Sequence, residues 1–268
     1  MSGPLVSVVT PSYEQAEFLE DNLRSVMEQT GPSVEHVVVD GGSTDGSVDI
    51  LESYEDEYDL RWVSEPDDGQ SDALNKGIEM ATGRWLCWVN SDDYLLPGAL
   101  EAFAEARRQN ADCDVIYGDF VFVDAEGREI GRKYNTCPSR FVHKHYYQFT
   151  GNHSTFFRRG VLESVGGIDE SLHYTMDTEL FWRLLEADLE MTHVPGFLGA
   201  RRLHEAAKTT GEPPAERLAE IRALKSGYDY TALERALPDK LLTAVAVALQ
   251  GTYHTLDGRP EAIRHMLS

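Results

Sequence analysis

Two acidic segments, each placed directly after an apolar run, carry the side chains best suited to chemistry in this sequence. One run ends at Asp40 and a glycine-rich turn, and the other, at residues 85–89, ends at the four residues Asn-Ser-Asp-Asp. Adjacent carboxylates such as Asp92 and Asp93 repel each other and lose hydration unless a cation lies beside them. Mg²⁺ and Mn²⁺ prefer oxygen ligands and often complete their shell with substrate phosphates. The pattern predicts a site for a nucleotide and a divalent cation, although either carboxylate could instead cap the next helix.

The turn at residues 10–13 ends the neighbouring apolar run, and Thr10, Pro11 and Tyr13 in it are predicted to contact the nucleotide. Tyr13 could cover a nucleotide base whose imide N–H is accepted by the carboxylate of Asp40. An Asp in a glycine-rich turn could also bond only to the amides of that turn, since Asp is an ordinary turn residue. Both interpretations of Asp40 follow from the residues alone.

A third acidic loop, at residues 65–72, follows another apolar run and opens a helix. Helix capping explains Ser71 and Asp72. Asp68 and Lys76 are therefore the candidates in this loop and helix for contacts with the ribose or phosphates of a nucleotide.

The elements that hold these segments alternate along the first 119 residues. Strands are predicted at residues 5–10, 36–40, 60–65, 85–89 and 115–119, and helices at residues 14–30, 48–58, 72–81 and 97–110. This alternation predicts an α/β fold with a mostly parallel central sheet and helices on both faces. Ligands of such sheets bind beyond the carboxyl ends of the strands, which is where the acidic segments lie.

The alternation changes after residue 119. An antiparallel hairpin is predicted from strands at residues 120–124 and 129–134, followed by helices at 159–165 and 177–188 and a strand near 191–194. Residues 141–157 are rich in aromatic rings, which suit stacking against sugars or a lipid-linked carrier in an acceptor pocket. From residue 212 onward the sequence is predicted to be helical.

The chain is strongly acidic, since 46 acidic and 24 basic residues give a formal net charge of −22 in 268 residues. This balance excludes nucleic-acid binding, which relies on Lys and Arg at phosphates, and docking on anionic lipid through a basic patch. Three cysteines in no metal-ligand spacing indicate free thiols. No secretory signal or membrane-spanning stretch is recognisable, so we expect a cytoplasmic protein.

Four strings follow one another in a fixed order along about residues 5–205, namely VSVVTPSYEQAEFLEDNLRSVMEQT, VVVDGGSTDGS, EPDDGQSDALNKG and WVNSDD. They resemble family 2 glycosyltransferases, a large inverting group built on the GT-A fold. The resemblance implies a GT-A domain at residues 1–211, with a nucleotide-sugar-binding half at 1–119 and an acceptor-side half at 120–211. Residues 212–268 would then form a C-terminal helical extension.

The resemblance implies roles for the acidic segments. Asp40 would bind uracil, and Asp92 would be the metal-binding acid that ends the family's Asp-x-Asp motif. This chain departs from the motif by carrying Asn90 at its first position, which weakens the usual ribose contact or metal linkage. Asn90 and Ser91 would line the nucleotide site, and Asp93 would be a second metal ligand.

The resemblance also extends to the second half of the chain. Asp177 matches the catalytic base, with Met176 replacing the acid that usually precedes it, whereas without the family Asp177 is most simply a helix cap. The basic segment that contains Arg202 and His204 resembles a mobile segment that closes over the diphosphate. His153 is either a ligand contact or a satisfied structural histidine.

Together these features predict a metal-dependent inverting glycosyltransferase that moves a hexosyl or N-acetylhexosaminyl group. The donor would be a nucleotide-diphosphate sugar, UDP-linked, and the acceptor a hydroxyl of a glycan or lipid-linked saccharide. Mg²⁺ or Mn²⁺ would neutralise the leaving diphosphate. Peripheral association with a membrane-bound acceptor at the inner face of the membrane, and a homodimer, stay open.

Two alternatives belong to other classes. A protein of the same fold could bind nucleotide-sugars without turnover, which the departures at Asn90 and Met176 would suit. A nucleotidyltransferase would also combine an α/β fold with a metal. It would normally carry a glycine-rich, basic phosphate loop after the first strand, and residues 10–14 have no such character.

Overall fold

The computed structural model describes residues 3–135, 137–146, 150–208 and 212–256, with side chains of the last helix described to residue 250. The strands are β1 (Val6–Ser12), β2 (Val34–Asp40), β3 (Leu60–Ser64), β4 (Trp85–Trp88), β5 (Tyr94–Leu95), β6 (Val115–Val123), β7 (Glu129–Lys133), β8 (Thr155–Arg158) and β9 (Met191–Arg202). The α-helices are α1 (Ala16–Met27), α2 (Ser47–Tyr54), α3 (Gln70–Met80), α4 (Ala99–Gln109), α5 (Arg140–His145), α6 (Arg159–Val165), α7 (Met176–Glu186), α8 (Ala215–Gly227), α9 (Ala232–Ala236) and α10 (Asp239–Leu256). A short 3₁₀ helix covers Asn152–Ser154.

The strands form one mixed sheet in the order β3-β2-β1-β4-β8-β6-β9-β5, with β7 paired to β6. β1 is parallel to β2 and β4, β2 to β3, and β6 to β9. β8 runs antiparallel between β4 and β6, and β5 and β7 are antiparallel to β9 and β6. Among the described strands, six therefore share one direction, and the predicted α/β fold with a small antiparallel region is confirmed.

Helices cover both faces of the sheet because neighbouring side chains of each strand point to opposite sides. In β4, Leu86 and Trp88 pack with apolar side chains of α3, α6 and α7, whereas Trp85 and Cys87 pack with those of α4. All four residues of β4 are buried. The acidic segment that follows β4 therefore starts from a rigid, fully covered strand.

Two element boundaries correct the sequence prediction. The strand predicted at residues 115–119 and the hairpin arm at 120–124 are one strand, β6, which pairs with β9 along its whole length. β9 in turn extends far beyond the predicted end near residue 194, since Val123 still pairs with Arg202. The predicted basic segment is therefore partly strand rather than loop.

Helices α8–α10 follow the sheet, and α10 packs against α5 with Leu242 and Ala246 buried. A buried polar cluster joins α9 to the same helix α5, because Glu234 lies 2.6 Å from Lys144 Nζ and 2.9 Å from His145 Nε2. Among the residues that the structure describes, no helix combines the length and apolar content needed to cross a bilayer.

Candidate active site

A cleft of about 590 Å³ opens beyond the carboxyl ends of β1 and β4. The turns after these strands form one side, and the first turn of α7 and the end of β9 contribute to the rest. Predicted site residues that line the cleft are Pro11, Tyr13, Asn90, Ser91, Asp92, Asp93, His153, Asp177 and Arg202. Predicted site residues outside this lining are Thr10, Asp40, Asp68, Lys76 and His204.

Asp92 and His204 form a pair at the cleft. Their Oδ2 and Nε2 atoms are 3.0 Å apart, and the imidazole packs against the ring of Phe18 with centroids 4.5 Å apart. A carboxylate oxygen and a neutral imidazole nitrogen are both ligands of divalent cations. No group of three His, Cys, Asp or Glu side chains that could hold a metal occurs within the described part of the chain. The pair fits a cation whose other ligands are substrate phosphates and water.

Asp93 is directed at the protein rather than at a shared cation. Its side chain is buried, its Oδ1 accepts the backbone N–H of Arg202 at 2.9 Å and its Oδ2 accepts Asn90 Nδ2 at 3.2 Å. Burial, and then the neighbouring charge of Asp92, hold the pKa of Asp93 well above its ordinary value. Asp93 thus joins the end of β9 to the loop after β4, which leaves Asp92 as the candidate of the two for contact with a cation.

Asn90 is fixed by two donors, since its Oδ1 accepts Gln70 Nε2 at 2.8 Å and Trp88 Nε1 at 2.7 Å. The residue that replaces the first acid of the predicted motif is therefore part of a hydrogen-bond network. An Asp here would keep the two acceptor bonds, but it could not donate to Asp93. The substitution avoids a third carboxylate beside Asp92 and Asp93.

Arg202 is a buried structural residue, which corrects its predicted place in a mobile segment over the diphosphate. Its side chain is 1% exposed and bonds to Asp21 Oδ2 at 2.7 Å and to the carbonyl of Asp92 at 3.0 Å. The guanidinium also lies over the rings of Phe18 and Tyr94. Because β9 continues to this residue, Arg202 fixes the backbone that carries Asp92.

The carboxylate of Asp40 points into its own turn and does not line the cleft, unlike its predicted contact with uracil. It is fully buried and accepts the backbone N–H groups of Gly42 at 3.1 Å and Ser43 at 2.8 Å. It also accepts the hydroxyls of Ser43 at 2.6 Å and Ser64 at 2.7 Å. Asp40 therefore has the structural role that the sequence left open, which is to hold its own turn.

Three further predicted contacts with the nucleotide are not placed at the cleft. Thr10 is fully buried and lies 2.9 Å from His36 Nε2, because this position of β1 faces the interior. Lys76 points to Asp72, 3.2 Å away on the preceding turn of the same helix. Asp68 is exposed beside the cleft lining.

Asp67, one position before Asp68, lines the cleft and was missed in the sequence. A Cβ atom added to Gly41 would lie 2.9 Å from Asp67 Oδ2 and 3.1 Å from Tyr13 Cδ2. The Asp67 carboxylate and the Tyr13 ring thus meet over the bare backbone of Gly41. Asp67 Oδ1 accepts the Gly69 N–H at 2.9 Å, and among the described residues Oδ2 has no hydrogen bond. A ligand at this point would meet a carboxylate oxygen and an aromatic ring that is 62% exposed.

Asp177 lies in the first turn of α7 and lines the same cleft as Asp92. Its Oδ1 accepts the N–H of Thr178 at 2.6 Å. Met176, which replaces the usual acid, is buried in the core cluster that contains Leu180 of the same helix. The departure from the family pattern at Met176 therefore adds apolar packing beneath Asp177.

His153 is buried at the cleft, with its ring edge-on to Phe120 and its Nδ1 atom 3.6 Å from Asp93 Oδ2. Burial, and then the charge of Arg201, lower the pKa of His153 to about 3, so the ring is neutral. Neither ring nitrogen has a hydrogen-bond partner among the described residues. His153 is therefore a neutral polar group in the cleft wall, not a satisfied core histidine.

The segment at residues 141–157, predicted to shape an acceptor pocket, contributes Gly151, Asn152 and His153 to the cleft, but none of its described phenylalanine or tyrosine rings. Phe156 and Phe157 of β8 are buried in the core on opposite faces of the sheet. Tyr147 and Phe149, which belong to the same prediction, lie outside the described residues. The aromatic side chains in the cleft lining are Tyr13, Trp88, Phe120 and Tyr174.

Comparison with known families gives a match to the model of glycosyl transferase family 2 over residues 7–165. A Bacillus subtilis (strain 168) protein named as the teichuronic acid biosynthesis glycosyltransferase TuaG is 45% identical over 131 residues, 48% of this chain and 52% of that protein. A PGL/p-HBAD biosynthesis glycosyltransferase of Mycobacterium bovis is 30% identical over 169 residues, 62% of this chain and 64% of that protein. The chain thus spans between about half and two thirds of the length of these curated relatives.

Solved structures show the same fold. S. aureus TarS 1–349 in complex with UDP-GlcNAc matches with a TM-score of 0.69 at 19% identity, covering 97% of this chain and 79% of that chain. The mannosyltransferase PcManGT from Pyrobaculum calidifontis, in complex with GDP-Man and Mn²⁺, matches with a TM-score of 0.58 at 18% identity, covering 98% of this chain and 85% of that chain.

Proposed function

The chain is a glycosyltransferase of family 2 with the GT-A fold, and from this premise we propose that its donor is a UDP-sugar and its reaction metal-dependent and inverting. The observation that carries the proposal is the meeting of Asp92, Asp177, Asp67 and Tyr13 around one cleft. The acceptor is a hydroxyl of a glycan or lipid-linked saccharide. The names of two relatives refer to teichuronic acid biosynthesis and to PGL/p-HBAD biosynthesis, which supports a transferase that acts in a biosynthetic pathway.

The mechanism begins with Asp177, which would take the proton from the acceptor hydroxyl as its oxygen attacks the anomeric carbon. The new C–O bond forms on the face opposite the diphosphate while the bond to the diphosphate oxygen breaks, so the configuration inverts. Asp92 and His204 would hold Mg²⁺ or Mn²⁺, which supplies positive charge to the leaving diphosphate. Arg201 and Lys208, both in the cleft lining, add positive charge on the same side as Asp92.

The base of the donor would lie between Tyr13 and Asp67. Uracil has an imide N–H, which a carboxylate accepts, and its flat face suits the exposed ring of Tyr13. Asp67 Oδ2 is the carboxylate oxygen beside this ring that has no bond within the described residues. Asp67 therefore takes the role that the sequence had given to Asp40, and Pro11 completes the same wall of the cleft.

Replacing Asp67 by Asn tests this assignment of the base. Asn keeps an oxygen for the Gly69 N–H but presents an NH₂ group where uracil N3–H would donate. Loss of a hydrogen bond that involves a charged group costs about 1.5–3 kcal/mol, so UDP affinity should fall by roughly 10- to 100-fold. CDP, whose N3 is an acceptor, should lose less affinity than UDP.

Calorimetric titrations of UDP and CDP in Mn²⁺ would measure this effect. Asp68→Asn is the matched control, because it makes the same change one position further along on an exposed side chain. If Asp67→Asn and Asp68→Asn bind UDP equally well, Asp67 does not bind the base.

The function as a whole is tested by incubating the protein with a panel of UDP-, GDP- and dTDP-sugars, with and without Mn²⁺, and measuring release of the nucleoside diphosphate. A transferase releases it faster when a lipid-linked or oligosaccharide acceptor is added. Binding of a nucleotide-sugar with no release under any condition would favour the non-catalytic alternative. A lipid-linked acceptor would also place the protein at the inner face of the membrane by peripheral association.

A further inference from the structure

Glu220, on helix α8, binds the turn that leads into the helix of Asp177. Its Oε1 accepts the backbone N–H of His173 at 2.9 Å, and its Oε2 accepts the N–H groups of Tyr174 at 2.9 Å and Thr175 at 3.0 Å. The hydroxyl of Thr175 donates to the same Oε2 at 3.0 Å. One carboxylate from the C-terminal helices thus receives four donors from three consecutive residues.

Apolar packing of α8 does not explain the contact between Glu220 and residues 173–175. Helix α8 has no buried side chain over its 13 residues, so a hydrophobic face does not hold it against the sheet domain. Just beyond its end, Tyr228 is buried and packs on Trp182 of α7, with ring centroids 4.2 Å apart. Glu220 is therefore a polar attachment of α8 itself, about two turns before the aromatic contact of Tyr228.

The bonds are made at the N-terminal end of α7, where the first backbone N–H groups of a helix lack partners within the helix. Thr175 occupies the cap position but does not accept a hydrogen bond with its own side chain. Although burial alone would raise it, these hydrogen bonds hold the pKa of Glu220 below its ordinary value. A negative charge at this end of α7 also interacts favourably with the helix dipole.

We propose that Glu220 is a positioning residue, which holds the turn at residues 173–175 and through it the carboxylate of Asp177 in the cleft. The proposal rests on the proposed function in one respect, namely that Asp177 is the base. It assigns to the C-terminal helices a part in the transfer step, because α8 supplies the group that orders the start of α7. His173 and Tyr174, which line the cleft, are held by the same carboxylate.

The test variant is Glu220→Ala, and Glu216→Ala is its matched control. Glu216 is exposed on the same helix, and no ion pair or hydrogen bond of its side chain occurs among the described residues. Hydrogen–deuterium exchange without substrate should be at least tenfold faster at the amides of residues 173–175 in Glu220→Ala, and unchanged in Glu216→Ala. This readout does not depend on the reaction, so it stands even if no nucleotide-sugar is turned over.

The kinetic readout separates positioning from general damage. A catalytic group displaced by about 1 Å costs on the order of 10²-fold in rate. We therefore expect kcat of Glu220→Ala to fall by about that factor, with unchanged affinity for UDP in Mn²⁺. Glu220→Gln keeps one accepting oxygen and should recover part of the rate.

Three results would overturn the proposal. One is unchanged exchange at residues 173–175, and a second is faster exchange with a kcat equal to that of Glu216→Ala. The third is a parallel loss of UDP affinity and kcat, which would mean that Glu220 only maintains the domain. A wild-type protein that releases no nucleoside diphosphate would instead contradict the proposed function, and the exchange experiment would still decide whether Glu220 holds the turn.

Discussion

Replacing Asp177 by Asn should abolish most transfer while leaving the donor bound. A general base contributes about 10²- to 10⁴-fold to a rate, and Asn cannot take the proton from the acceptor hydroxyl. The side chains are nearly equal in size, and Asn keeps an oxygen for the Thr178 N–H that Asp177 now accepts. The expected result is a fall of that size in kcat, measured as acceptor-dependent release of UDP.

Donor binding should survive because the proposed contacts with base and diphosphate come from other elements. Asp67 precedes α3, Asp92 follows β4 and His204 follows β9, whereas Asp177 belongs to α7. The affinity for UDP in Mn²⁺ should therefore match that of the unaltered protein. This split between binding and rate is the signature of a group that acts on the acceptor.

Asp188→Asn is the control for this experiment. Asp188 is exposed just after α7 and has a φ of 53°, a conformation that Asn also adopts readily. The same loss of one carboxylate there should leave kcat unchanged. If Asp177→Asn retains transfer close to that of Asp188→Asn, Asp177 is not the base and is simply a cap of its helix.

The fold could be predicted from the sequence because the same pattern, an apolar strand followed by an amphipathic helix, is repeated along the chain. The apolar runs at residues 37–39 and 85–89 are continuous, buried and separated by amphipathic helices, which indicates a parallel sheet. The sequence did not show in the same way that residues 115–119 and the predicted hairpin arm form one strand, β6. β6 is one long strand because β9, about 80 residues later in the sequence, is hydrogen-bonded along its whole length. A pattern of neighbouring residues does not indicate a partner so far away in the sequence.

The candidate site was only partly accessible, because the sequence places residues near a strand end but does not fix where each side chain points. Asp40 and Asp67 both follow strands and both lie in acidic turns. In the structure, the Asp40 carboxylate points to the backbone of its own turn, whereas the Asp67 carboxylate points toward Gly41. The difference of one position between Asp67 and Asp68 decides which carboxylate reaches the cleft.

Burial explains the other differences. The basic segment resembled a mobile segment that closes over the diphosphate, yet Arg202 is paired with Asp21 and covered by two aromatic rings. Glu220 could not be found from the sequence at all, since nothing near it marks a contact with residues 173–175 that lie about 45 positions earlier. Long-range polar contacts of this kind are specific to the folded arrangement.

Replacing Asp92 by Ala should remove the metal dependence of nucleotide binding. Asp92 and His204 are the pair at the cleft that suits a divalent cation, and removing groups that merely support metal ligands already costs 10- to 100-fold in metal affinity in other proteins. We therefore expect UDP affinity in Mn²⁺ to fall by at least about 10²-fold in the variant. Without Mn²⁺, the variant and the unaltered protein should bind UDP equally weakly.

His204 allows a second test of the same site, because two ligands of one cation act as a unit. His204→Ala should produce a loss of the same kind, and the double variant should lose little more than either single one.

Asp68→Ala, which removes an exposed carboxylate outside the cleft lining, is the matched control and should keep the full effect of Mn²⁺. Calorimetric titration of UDP with and without Mn²⁺ measures all four variants on one scale. If the losses in Asp92→Ala and His204→Ala simply add, the two side chains do not hold a common ion; if Asp92→Ala binds UDP in Mn²⁺ as tightly as the control does, the metal is not held at Asp92.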